Sequence, residues 1–160
     1  MNARNFWIVS AVALVVLSVW KGEEIVSNVR GIRNKNPGNI EKGASWIGLA
    51  SAQTDSRFAV FKEMKYGVRA ALIVFRNYQR LYGLKTIAQM ISRWAPASEN
   101  DTRAYIAAVS QRTGIASTAP LDLSNVRIAA NFLRAVFRHE NGIAAELIPE
   151  STITEGIALA

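Results

Sequence analysis

Residues 6–20, FWIVSAVALVVLSVW, run for 15 positions without a charge. As a helix this run would be roughly 22 Å long, short of the ~30 Å hydrocarbon core of a bilayer. Trp7 and Trp20 bracket it, as aromatic side chains do at membrane interfaces, with Arg4 before it and Lys21 after it. Three readings compete. A secretory signal shares the basic start and apolar centre, but Val19-Trp20-Lys21-Gly22 is a poor cleavage site. A buried core helix is the second reading, weakened because the run is apolar all round, whereas a helix packed at a domain surface keeps a polar stripe. A short uncleaved anchor accommodates the Trp bracket and the mismatch. The run thus divides the chain into an N-terminal transmembrane or signal-anchor segment, 1–21, and a body, 22–160.

The body has the periodicity of a helical domain. Over about 65–82, Val68, Ala71, Leu72, Phe75, Tyr78 and Tyr82 recur at i, i+3, i+4 spacing, and Gly83 stops the pattern. Thr86 opens a short helix carrying Ile87, Met90, Ile91 and Trp94, with Pro96 beyond it. Another helix runs to about Arg112, with Ile106 and Val109 inward and Gly114 after it. Ser124 is expected to cap a helix to about His139 that shows Val126, Ala130, Leu133 and Phe137 on one face. Thr152-Ile153-Thr154-Glu155 reads as a capping box for a last helix. Ahead of these, residues 31–48 are rich in Gly and Asn, and Asn36-Pro37-Gly38-Asn39 is a turn signal. A loop or small hairpin is expected there, with Ile40, Trp46 and Ile47 packing inward. The fold class is mainly α.

The absence of Cys removes disulfides, thiolate nucleophiles and Cys-ligated metals, and His139 alone cannot make a two-His centre. No metal or cofactor is expected. The net charge of +7 calls for an anionic partner. The Arg residues are scattered rather than clustered, so a wall polymer or membrane surface fits better than nucleic acid. Two carboxylates stand out. Glu140 ends a helix, between apolar Phe137 and Ile143, and the negative helix end disfavours its charged form, as a general acid requires. Glu99 and Asp101 stand at a helix start, which keeps a carboxylate ionised and is equally the pattern of an N-cap. His139 fits a surface or capping role as well as a chemical one.

Taken in order, RGIRNKNPGNI (30–40), WIGLA (46–50), FAVF (58–61), GVRA (67–70), RWAP (93–96), ENDT (99–102) with Tyr105, and RHENG (138–142) resemble a family of bacteriophage virion proteins. Members are described as structural proteins and are more loosely similar to lysozyme-like and lytic-transglycosylase-like peptidoglycan hydrolases. The resemblance implies a lysozyme-like helical domain acting on peptidoglycan glycan strands, alongside other virion proteins and a lipid membrane reached through residues 6–20. If the domain is catalytic, Glu140 is the candidate acid, and a second carboxylate such as Glu99 or Asp101 would make it a hydrolase. Asn34, Asn36 and Asn39 would hydrogen-bond N-acetyl groups, and Trp46, Trp94 and Tyr105 would stack on sugars, with Asp101 and His139 nearby. The order of these segments is permuted relative to lysozymes, which leaves Glu23 and Glu24 as a second candidate position for the acid. A non-catalytic virion protein keeping the same fold is the competing function.

Overall fold

A computed structural model describes residues 28–97 and 101–160. The uncharged run 6–20, Glu23, Glu24 and Glu99 lie outside the described residues. Among the described residues no helix is long and apolar enough to cross a membrane.

The described chain is mainly helical and contains no strand. It opens with the single turn α1 (Arg30–Arg33), then crosses an irregular lobe to α2 (Met64–Tyr82). Gly83 terminates α2 in the left-handed conformation at φ 65°. The helices α3 (Ile87–Trp94), α4 (Thr102–Thr113) and α5 (Val126–Asn141) follow, then a 3-10 segment, Gly142–Leu147, and α6 (Glu150–Ala158). The expected boundaries of α2 to α4 are close to those observed. Thr86 caps α3 in a capping box closed by Gln89.

Several expectations fail in detail. Asn125 caps α5 through its side chain, accepting from the Arg127 and Ile128 amides. Ser124 instead bonds Asp122 through both its amide and its hydroxyl. The last helix starts two residues before Thr152, at Glu150 after Pro149, which leaves Thr152 and Thr154 inside it. The Thr154 hydroxyl donates back to the Glu150 and Ser151 carbonyls, so no capping box forms there. Val126, Tyr82 and Ile47 carry apolar side chains on periodic or loop positions, yet all three are exposed. Each lies at the end of a helix or in a loop, outside the packed faces of the helices.

The core lies between α2, α3, α4 and α5. Phe75 is fully buried at its centre. Its ring stacks on Trp94 with centroids 4.4 Å apart and meets Phe132 edge-on at 4.8 Å. Helix α6 packs along α2, where Gly156 lies against Val68.

The lobe over 34–62 adds Ile40, Ala59 and Phe61 to that core but has no cluster of comparable size of its own. Residues 31–48, expected as a loop or small hairpin, form a loop beyond the α1 turn, and two isolated antiparallel bridges tie Glu41 to Phe58 and Leu49 to Phe61. Side chains do the rest. Asn36 donates to the Ile40 and Ala59 carbonyls and accepts from the Ile40 amide, all at 2.9 Å. Gln53 bridges Ala50 and Val60 in the same way. The lobe meets α2 at Gly67, where a Cβ would lie 2.2 Å from the Lys35 carbonyl oxygen. Only glycine permits that approach.

Candidate active site

Four segments meet at Glu140. It stands one residue before the C-terminal end of α5 and lines a cleft of about 440 Å³. Trp94, from the end of α3, donates its indole N–H to Glu140 Oε1 at 3.0 Å. Tyr105, from α4, donates its hydroxyl to the same oxygen at 2.8 Å. Asn39, from the lobe, donates Nδ2 to Oε2 at 3.0 Å. The carboxyl group therefore accepts on both oxygens.

Each donor is fixed by its own surroundings. Trp94 is clamped between Phe75 and Gly38, where an added Cβ would meet the indole ring at 3.2 Å. Asn39 adopts a left-handed backbone at φ 49°, unusual for a residue with a side chain, and this turns its amide toward Glu140. Its Oδ1 is buried without a partner. Burial, and then the charge of Glu140, raises the Tyr105 hydroxyl well above its ordinary value, so it remains a donor at any physiological pH. The His139 ring stacks on Tyr105 at 3.5 Å between centroids. Desolvation lowers His139 from its ordinary value; Glu140 opposes that shift and Arg112 adds to it. Of the two apolar residues flanking Glu140 in sequence, Phe137 is buried but Ile143 points out to solvent.

The structure thus brings Asn39, Trp94, Tyr105 and Glu140 together, with His139 behind Tyr105. It does not bring in Asn34 or Asn36. Both are buried and turned into the lobe, Asn34 toward Asp55 and Asn36 onto the backbone. They are framework residues there, not free to bind an N-acetyl group. Trp46 is partly buried against the core, with its indole N–H inside and unpartnered, so it offers no stacking face in the cleft. Asp101 caps α4 by accepting from the Ala104 amide. Glu99 lies outside the described residues. Among the described residues there is no cluster of three or more His or carboxylate side chains able to hold a metal ion.

Asp55 escaped the sequence reading. Arg30 donates to both its oxygens at 2.7 Å, Asn34 donates at 2.8 Å, and the Arg57 and Phe58 amides each donate at 2.9 Å. Chiefly through Arg30, these bonds hold its carboxyl well below the usual carboxylate range. The Asp55-Ser56-Arg57 turn was the available signal, because aspartate at the head of a turn accepts from the amides two and three residues on. Asn141 was a second omission. Its Nδ2 donates to the Pro37 carbonyl at 2.7 Å and so ties the end of α5 to the lobe beside Asn39.

No family model matches the chain. Over 119 residues it is 39% identical to "Protein P5" of Pseudoalteromonas phage PM2, a match covering 72% of this chain and 73% of the phage protein. The chain belongs to the family of that phage protein. Glu140 and its three donors are therefore a site in a P5-family phage protein.

Proposed function

We propose that the chain is a virion-associated phage enzyme that cleaves glycosidic bonds in peptidoglycan, of lysozyme or lytic-transglycosylase type, during genome entry or lysis. One observation carries this reading: a helix-ending glutamate lies in an open cleft and is oriented by three neutral donors from three other segments. In the proposed cycle a protonated Glu140 gives its proton to the glycosidic oxygen as the C1–O bond breaks. The sugar left with positive charge at C1 is then captured by a nucleophile whose proton returns to Glu140. Asn39, Trp94 and Tyr105 hold the carboxyl group in place for both steps.

The other described carboxylate on the cleft, Glu41, is paired with Arg57, and Asp101 is occupied as a helix cap. That favours a route using one carboxyl group, in which the sugar's own 6-hydroxyl attacks C1 and closes an anhydro ring. Glu99 remains the proposed second carboxylate if water attacks instead. In this reading the domain 22–160 faces the periplasm or cell wall. Residues 6–20 hold it to the virion membrane or host inner membrane beside other virion proteins. The positive charge favours docking on an anionic wall.

A zymogram on purified sacculi tests the reading, with the full chain in detergent. Wild type is expected to clear peptidoglycan, and Glu140→Gln to clear at least about 100-fold less. Products without borohydride-reducible ends mark the anhydro route, and reducible ends with loss in Glu99→Gln mark hydrolysis. A wild type that clears nothing supports the second reading, a non-catalytic virion protein with a lysozyme-like fold. The observation favouring that reading is that the bonds on Glu140 also join the lobe to three helices.

A further inference from the structure

Trp94 enters the cleft, but its neighbour Arg93 does not. Arg93 is exposed at the end of α3, and its guanidinium carbon lies 3.7 Å from the ring centroid of Tyr82 and 5.2 Å from that of Tyr78. Tyr78 lines the cleft beside Trp94. Tyr82 stands one turn further along α2, more than half exposed, with its ring centroid 6.4 Å from that of Tyr78. Cleft, Tyr78, Arg93 and Tyr82 thus form a continuous surface.

The chemistry of that surface is specific. A guanidinium held against aromatic faces still has its N–H donors in the plane, open at the edge. Arg30, Arg57, Arg134 and Arg138 each have a carboxylate partner. Among the described residues Arg93 has none; the same holds for Arg69, Arg76, Arg80, Arg103, Arg112 and Arg127, but of these Arg93 is the one held on a tyrosine that lines the cleft. A neutral sugar would need only the tyrosine faces, whereas an in-plane fork fits a carboxylate.

We infer that Arg93, held by Tyr78 and Tyr82, is a carboxylate subsite that extends the cleft and takes the anionic substituent of a glycan strand lying over Glu140. This rests on the glycan reading above. In peptidoglycan the carboxylate comes either from the lactyl ether of a peptide-free strand or from the stem peptide.

Calorimetric titration of the full chain in detergent tests it with three soluble probes: peptide-bearing strands, strands stripped of peptide, and neutral N-acetylglucosamine oligomers. Wild type is expected to bind at least one carboxylate-bearing probe about tenfold more tightly than the neutral one. Tight binding of stripped strands identifies the lactyl carboxylate, and tight binding of peptide-bearing strands alone identifies the stem. Arg93→Gln should abolish the preference while leaving neutral-oligomer affinity within about twofold. Arg93→Lys should recover part of it, as a point charge without the fork. Glycan binding without any preference, or a preference unchanged in Arg93→Gln, overturns the subsite and leaves the glycan reading standing. Failure to bind any of the three probes overturns both.

Discussion

Around Phe75 the molecule is held by rings and aliphatic side chains from four helices. Across 34–62 it is held by the amides of Asn34, Asn36 and Gln53 and by the carboxylate of Asp55. The helical side satisfies its backbone internally and gains stability by burying apolar area. The lobe has backbone bonds across it, from Lys42 to Arg57, Ala50 to Val60, Ala59 to Ile40, Phe61 to Asn34 and Lys62 to Gly48, but no regular strand, so polar side chains supply the partners those bonds leave over. Apolar packing tolerates small adjustments, whereas a buried polar network tolerates few, because each lost partner strands another group. Glu140 and Asn141 stand where the two regimes meet.

The difference can be tested by damaging each side separately. The largest effect is expected from Phe75→Ala, which empties the centre of the helical side. It should cost about 3–5 kcal/mol and lower a single cooperative melt followed by circular dichroism. A lobe that melts on its own, with the helices unmoved, would break the division as drawn. Asn36→Ala comes next, at about 1–3 kcal/mol, because it strands the Ile40 amide and the Ala59 carbonyl in the interior. Its effect should be local: faster amide exchange over 36–61 with little change in α2 and α5. The nearly isosteric Asn36→Asp should be at least as damaging, since it turns a donor into an acceptor facing two carbonyls. Thr86→Ala removes a helix cap far from the lobe and should cost about 1 kcal/mol in the denaturation midpoint, with lobe exchange unchanged.

The smallest effect under ordinary conditions is acid sensitivity. Asp55 is depressed in the folded state, so its contribution is complete above the unfolded carboxylate value near ~4 and is lost progressively as pH falls below that toward the folded value. Lobe exchange should therefore accelerate in that acidic range before the helices melt. Asp55→Asn should show no such pH dependence.

These regimes also explain what could be read from the sequence. The positions of α2, α3 and α4 follow from periodicity and caps, because an apolar stripe on a helix has one place to go. The lobe carries no such code. Asn36 and Asn39 are the same residue type, three positions apart in one turn-forming stretch, and the first braces the lobe while the second reaches Glu140. The left-handed backbone at Lys35 and Asn39 decides between them, and that depends on how the lobe packs at Gly67. Glu140, Trp94 and Tyr105 were legible because each sits in or beside a compact motif at a helix end. Ile47 and Val126 were misjudged because hydrophobicity ranks a side chain without naming its neighbour. Asp55 was overlooked because a lone aspartate in a turn looks like ordinary turn chemistry until Arg30 arrives from 25 residues away.

The Asn39–Glu140 bond joins residues 101 apart, and the Asn141–Pro37 bond joins residues 104 apart. Contacts of such separation form late, after the loop between them has been closed at an entropic cost. Until then the lobe has nothing to face, and the cleft has only one wall. A chain still being synthesised, or clipped and opened between its lobe and α5, consequently lacks this site altogether.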